Sequence, residues 1–302
     1  MTWNKRTDLA TEAKEIWQES AGETTQLKGV KAYDTESHGF LLTCVEILDD
    51  RGAKALRKPV GRYLTLEIDP LLHREKDGFS RSVFALRDML QKVLSLEAHH
   101  SVLLVGLGNP DITPDAIGPI VAKNTLATKH LLEKAPEHFE SFRSVSVLQT
   151  GVLGTTGVES AQMVSAFVKE FSPDCVIAVD ALASRKFSRV CRTVQAANTG
   201  IVPGSGIGNA RQGINQETLG VPVIALGVPT VVDAGTLALD LLEEAGSGGE
   251  VLEKLTDFGK DMIVTPKEID SQVTSISKIL AYGVNLALHD NLSLSDLEML
   301  TG

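Results

Sequence analysis

VGLGNPDITPDAIGP, residues 105–119, is the stretch that decides the fold. The apolar run at 102–105 reads as a buried strand, and Gly106-Leu107-Gly108-Asn109-Pro110 reads as the turn that ends it. Thr113-Pro114-Asp115 then reads as a helix start: Thr caps orphan N–H groups and Pro fits the first turn. The pattern puts the carboxylate of Asp115 just past the C-terminal end of a strand, at the mouth of a helix. In open α/β sheets that rim is where ligands bind.

Outward from this stretch, strands and helices alternate. Strands are expected at 145–148, 175–179, 190–195 and 221–226 and a short one at 262–264; helices at 115–135, 158–171, 229–242 and 266–289. That alternation predicts an α/β fold, a mostly parallel doubly wound sheet with helices on both faces. Upstream, 40–48 and 63–68 are strand-like with a turn at Arg51-Gly52, helical spacing marks residues 81–97, and TDLATEAKEIWQES (7–20) reads as a capped helix. The two adjacent strands suggest a small antiparallel extension. Residues 246–249 form a glycine-rich break, but no linker divides the chain, so one domain is expected.

Length and composition fit an ordinary globular protein: 302 residues, 43% hydrophobic and 23% charged. A net charge of −10 argues against binding duplex DNA or an anionic membrane, since such affinity comes from Lys and Arg. Three cysteines, Cys44, Cys175 and Cys191, with no CxxC spacing suggest a reducing compartment and no disulfide framework. The polar start at residues 1–9 is no signal peptide, and the run 221–232 is too short to span a bilayer, so a cytoplasmic protein is expected.

Most familiar chemistries are not signalled. Ser205 lies in Gly204-Ser205-Gly206, but Pro203 precedes them, so the GxSxG elbow is not matched and Ser205 reads as a turn residue. There is no HExxH and no Cys/His cluster; His99-His100 reads as surface. The glycines at 204–208 do not make a dinucleotide fingerprint, because no helix clearly follows. Paired carboxylates are the exception. Asp115 follows one expected parallel strand and Asp180 closes another. On neighbouring strands they meet at one rim, and two carboxyls within about 4–6 Å share a proton. Such a pair can deprotonate water and protonate a leaving amine. Taken singly, each reads slightly better as a structural residue: Asp115 as a first-turn carboxylate, Asp180 as a strand-end cap.

Taken together, the motifs change that balance. GLGN-x3-TPDAIGP (106–119), GVLGTTGVE (151–159), PDCVIAVDALASR (173–185), Q-x2-NTGIVPGSGIGNAR (195–211), LGVPVIALGVPTVVDA (219–234) and MIVTPKEID (262–270) resemble, in order, the germination protease family of endospore-forming bacteria. The GLGNP element alone also occurs in peptidyl-tRNA hydrolases, whose downstream histidine is missing here. The resemblance implies an atypical aspartic endopeptidase, similar in fold to the hydrogenase maturation endopeptidases, that degrades small acid-soluble spore proteins in the spore core. It implies Asp115 and Asp180 as the catalytic pair, with no cofactor and no metal. It also implies a tetrameric zymogen that trims its own N-terminus, cutting after the first acid of motifs like T-E-(F/I)-A-S-E. Thr7-Asp8-Leu9-Ala10-Thr11-Glu12 resembles that motif. The expected cut is Asp8–Leu9, leaving a propeptide of residues 1–8 and a single peptidase domain of 9–302. The same residues also read as an ordinary capped helix start, which must then fray to be cut.

Within that resemblance, the loops 106–109, 151–157 and 198–211 are expected to line the peptide cleft, because glycines let backbone donors approach an extended chain. Which aspartate is base and which acid is open. Arg185 or Arg211 is expected either to hold the acidic residue before the cut or to make a surface ion pair. Thr265 and Lys267 either face the same rim or cap the last helix. The alternative reading is a metal-dependent maturation-type peptidase on the same fold. A catalytically inactive binding or storage protein is the other.

Overall fold

The computed structural model describes residues 7–21, 27–68, 75, 77–208, 211–244 and 262–301. Residues 1–6 of the expected propeptide and the glycine-rich break at 246–249 lie outside them. In chain order the elements are α1 (Ala10–Ala21), β1 (Val30–Ser37), β2 (Phe40–Ile47), α2 (Asp50–Leu56), β3 (Gly61–Glu67), α3 (Gly78–Val93), β4 (Val102–Leu107), α4 (Ile117–Lys123), α5 (Lys129–Lys134), β5 (Val145–Gly151), α6 (Ser160–Phe171), β6 (Cys175–Ser184), β7 (Thr193–Ala197), β8 (Val223–Asp233), α7 (Ala234–Glu244), β9 (Ile263–Val264), α8 (Ile269–Leu288) and α9 (Leu294–Thr301), with short helical turns between some of them.

The strands form one mixed sheet in the order β1-β2-β3-β7-β8-β6-β4-β5, with β9 added on β8. The β5-β4-β6-β8 part is parallel. β4 is buried at every position, as a parallel strand covered on both faces must be. One face carries α3, α4 and α8 over Val102, Leu104, Ile177 and Val179. The other carries α6 over Leu103, Val105, Val176 and Ala178. Each fully buried Val or Leu contributes about 1.5–3 kcal/mol relative to exposure, so these two layers supply most of what fixes β4 and β6 side by side.

The antiparallel part is larger than the expected extension: β1, β2, β3 and β7 all run antiparallel to their neighbours. β7 must reverse, because a parallel return needs a crossover of roughly a dozen residues and only residues 185–192 join it to β6. β1 has no apolar alternation and lies mostly exposed at the sheet edge, so its pattern does not announce a strand. A tight hairpin at His38 and Gly39, with φ of 53° and 84°, brings it onto β2.

Several boundaries differ from the sequence expectation, three of them with a clear physical cause. The helix expected over 115–135 is broken into a turn at Thr113–Asp115 and the helices α4 and α5. The buried Asn285 side chain on α8 holds the break open, accepting from Leu126 N–H at 2.9 Å and donating to the Asn124 carbonyl at 3.0 Å. The strand expected at 221–226 runs on to Asp233, since Val228, Thr230, Val231 and Val232 suit a pleated, buried ribbon better than a helix. Arg51-Gly52 lies in α2, capped by Asp49, where a Cβ on Gly52 would stand 2.3 Å from the Gly29 carbonyl. All three cysteines are free and buried. No helix among the described residues is long and apolar enough to cross a membrane.

Candidate active site

Asp115 is wedged into the rim by three close approaches. A Cβ on Gly106 would meet the Gly118 carbonyl at 2.4 Å, and one on Gly118 would meet the Leu107 carbonyl at 2.2 Å, so α4 packs on β4 only because both lack side chains. Gly108, at φ 110°, turns the chain where a Cβ would stand 2.1 Å from the Asp115 carbonyl. The Asn109 N–H then donates to Asp115 Oδ2 at 2.8 Å. Thr113 makes no side-chain cap; the turn is anchored instead by the Thr230 hydroxyl, which donates to the Pro114 carbonyl at 2.6 Å.

Asp180 does not close its strand; β6 continues to Ser184. It stands at the rim because the neighbour stops first: the β4–β6 pairing ends at Gly106 opposite Val179. Asp180 is buried, and its Oδ1 accepts the Ala181 N–H at 2.9 Å. Burial raises its pKa well above the usual carboxylate value, and the charges of Asp115 and, less, Asp8 push the same way against the Ala181 N–H. Burial raises Asp115 too, opposed by the Asn109 N–H.

Both aspartates line a cleft of about 460 Å³ whose walls include Gly108 and Asn109, Gly151–Gly154, Ile201–Gly204 and Arg211. All three glycine-rich loops expected to meet there do so among the described residues. Ser205 is more than a turn: its hydroxyl donates to Asp8 Oδ1 at 2.7 Å.

The N-terminal segment is docked beside this cleft. Asp8 N–H donates to the Ala183 carbonyl at 2.9 Å, and Ala183 N–H donates to Asp8 Oδ2 at 2.9 Å, so Asp8 lies along the projecting end of β6. Its carbonyl accepts from Lys58 Nζ at 2.9 Å and from Gln195 Nε2 at 3.1 Å. Asp8 lies between the 460 Å³ cleft and a neighbouring cavity of 530 Å³, and lines both. Leu9 and Ala10 are fully buried. α1 begins at Ala10, so the Asp8–Leu9 bond lies immediately before the helix.

Glu12 is also fully buried; it accepts from the N–H groups of Arg185 at 2.6 Å and Lys186 at 3.1 Å, and from the Thr7 hydroxyl. Arg189 stands 3.4 Å from it. The Arg185 guanidinium does not hold Asp8; it is committed to Asp240 and Glu19, both at 2.8 Å. Arg211 lines the cleft and pairs with Glu159 at 3.3 Å. Thr265 donates to the Thr230 carbonyl and Lys267 is exposed. Among the described residues the group with metal-ligand geometry is Glu97, His99 and His100, before the N-terminal end of β4 and so at the opposite sheet edge from Asp115. Nothing local in the sequence marks Lys58, which follows a short helix, or Gln195, which lies in mid-strand.

Fold and site together define an α/β protein in which two carboxyls of raised pKa line one cleft beside the docked N-terminal segment. The family model of the germination proteases matches residues 10–245 and 241–301. The germination protease of Caldanaerobacter subterraneus subsp. tengcongensis is 42% identical over 98% of this chain and 97% of its own, and that of Clostridium perfringens 40% identical over 98% of both. That of Bacillus cytotoxicus is 36% identical over 94% of this chain and 93% of its own. The chain belongs to the germination protease family, and is a peptidase of that family.

Proposed function

We propose that this protein is an atypical aspartic endopeptidase that begins the degradation of small acid-soluble spore proteins at germination, in the spore core. In this reading it is made as a homotetrameric zymogen that releases residues 1–8 by cutting Asp8–Leu9. Asp115 and Asp180 are its catalytic pair and no metal takes part. The observation that carries the reading is the meeting of two carboxyls of raised pKa at one cleft, beside which the chain's own Asp8–Leu9 peptide is held.

The roles divide by environment. Asp180 is the more deeply buried and feels the charge of Asp115, so it keeps its proton and serves as the acid toward the leaving amine. Asp115, steadied by the Asn109 N–H, is the carboxylate that takes a proton from water. Ser205 and the Ala183 N–H select the acid before the cut by holding its carboxylate.

The test is incubation of the purified full chain and of a T-E-I-A-S-E peptide, followed by mass spectrometry. Wild type gives Leu9 as a new first residue and cuts the peptide after its first Glu, with no loss in chelator. Asp115→Asn and Asp180→Asn each lower both rates by at least about 10³-fold. Full activity in either variant removes the pair, and a strict metal requirement moves the reading to a maturation-type peptidase.

A further inference from the structure

We propose that Lys58 and Gln195 together hold the oxyanion that forms when the Asp8–Leu9 peptide is cleaved, with Lys58 as a third catalytic residue. The inference rests on the cut assigned above and goes beyond the aspartate pair. Two side chains from different elements converge on one backbone oxygen. Lys58 Nζ reaches the Asp8 carbonyl at 2.9 Å and the Thr7 carbonyl at 3.3 Å. Gln195 Nε2 reaches the same Asp8 oxygen at 3.1 Å. The Gln195 amide has its orientation fixed, because its Oε1 accepts the Ala10 N–H at 2.8 Å; the NH2 end must therefore face Asp8.

The fold presents both donors deliberately placed. Gln195 on β7 and Asp180 on β6 are each opposite Gly227 of the β8 strand between them, so the two residues stand at one level of the sheet. Lys58 enters from the other side: Arg57, at φ 52°, closes α2 in the left-handed region, and the chain turns inward after it. Among the described residues no carboxylate lies within ion-pair distance of Lys58, so its charge is committed to carbonyl oxygens. Burial lowers its pKa against the opposing pull of Asp8 and Glu12. A fixed, enclosed cation and a fixed amide aimed at the oxygen where negative charge develops is the arrangement that stabilises a tetrahedral intermediate.

The step balances. The water oxygen bonds to the Asp8 carbonyl carbon while its proton passes to the Asp115 carboxylate. The carbonyl π pair moves to oxygen, and Lys58 and Gln195 hold the resulting charge. The pair returns, the carbon–nitrogen bond to Leu9 breaks, and the Leu9 nitrogen takes the proton of Asp180. The products are a carboxyl group at Asp8 and an amine at Leu9.

Self-trimming is the useful assay, since the peptide to be cut is the one whose carbonyl the two donors hold, and a docking control separates weaker binding from slower chemistry. The full chain is followed by mass spectrometry for the Leu9 terminus, in wild type, Lys58→Met, Lys58→Gln and Gln195→Leu, each checked for folding by its unfolding midpoint. In parallel, the same substitutions in the inactive Asp115→Asn chain are probed by amide exchange across residues 13–19 of α1, whose N–H groups do not bond the substituted side chains. Lys58→Met is expected to slow trimming by about 10²–10³-fold and Gln195→Leu by about tenfold, with residues 13–19 as protected as in the parent. Trimming within threefold of wild type in the folded Lys58 variants overturns the proposal and leaves the aspartate pair standing. Loss of protection along with loss of rate overturns it as well, making Lys58 a docking residue. If Lys58→Met fails to fold, Lys58→Gln and Gln195→Leu decide by the same criteria. A wild-type chain that never produces a Leu9 terminus overturns the assigned cut and this inference with it.

Discussion

Glu12→Gln is the substitution whose cost the structure defines most closely. The carboxylate is fully buried and both of its oxygens are used: Oε2 accepts the Arg185 N–H at 2.6 Å and the Thr7 hydroxyl, and Oε1 accepts the Lys186 N–H at 3.1 Å. Glutamine has the same shape but one acceptor. Its NH2 group must face either the Arg185 or the Lys186 N–H, donor against donor. The lost charge-assisted bond is worth about 1.5–3 kcal/mol and the stranded buried N–H a further ~1–3 kcal/mol. A total of about 2.5–6 kcal/mol corresponds to a shift of roughly 10²–10⁴ in the docking equilibrium of α1. The parent for the measurement is Asp115→Asn, so that trimming does not remove the segment. Amide exchange in α1 should accelerate by that factor, while α8 and β4, on the far side of the core or within the sheet, stay unchanged. Exchange in α1 equal to the parent's would mean that Glu12 does not hold the N-terminal segment. Exchange accelerated everywhere would mean that the change unfolds the molecule rather than releasing one helix.

The pH dependence of cleavage should be bell-shaped: the acid limb follows deprotonation of the pair's base, and the alkaline limb follows loss of the proton that burial and Asp115 hold on Asp180; a rate independent of pH across both limbs would exclude a carboxyl pair. The same raised pKa predicts a stability effect. Between the ordinary carboxylate pKa and the raised one, the folded state binds more protons than the unfolded, so stability falls as pH rises through that window. Asp180→Asn removes this term and should therefore unfold at a higher temperature than wild type near neutral pH, with the difference vanishing in acid; equal midpoints at both pH values would contradict the raised pKa. Gly206→Ala puts a Cβ 2.1 Å from Asp8 Oδ2 and 2.8 Å from the Ala183 Cβ; it should displace Asp8 and slow self-trimming more than it lowers the unfolding midpoint, and unaltered trimming would show that Asp8 is not held there during cleavage.

Much of the site was legible in the chain. The glycine and proline pattern of residues 105–119 placed Asp115 after a buried strand, and the alternation downstream of it implied a parallel neighbour ending near Asp180. Those features are local, because strand period, turn residues and close-packing glycines act over a few positions. Nothing local, by contrast, marks Glu12 as a buried carboxylate, and the sequence left Arg185 between an acidic substrate and a surface ion pair, whereas its buried guanidinium lies between Asp240 and Glu19.

What the sequence by itself determined was the run of buried strands, the three glycine-rich loops at their ends and the two acids among them. Tertiary structure alone decided that β7 would turn antiparallel and carry Gln195 to the level of Asp180, and that Lys58 would turn inward behind α2. It also decided that Asp8 would lie along β6 with its carbonyl between those two donors. The physical reason is range. Periodicity and capping are fixed by neighbours within a turn or two, whereas the partners of Asp8 come from positions 50 to 197 residues away, and only the closing of the sheet brings them together.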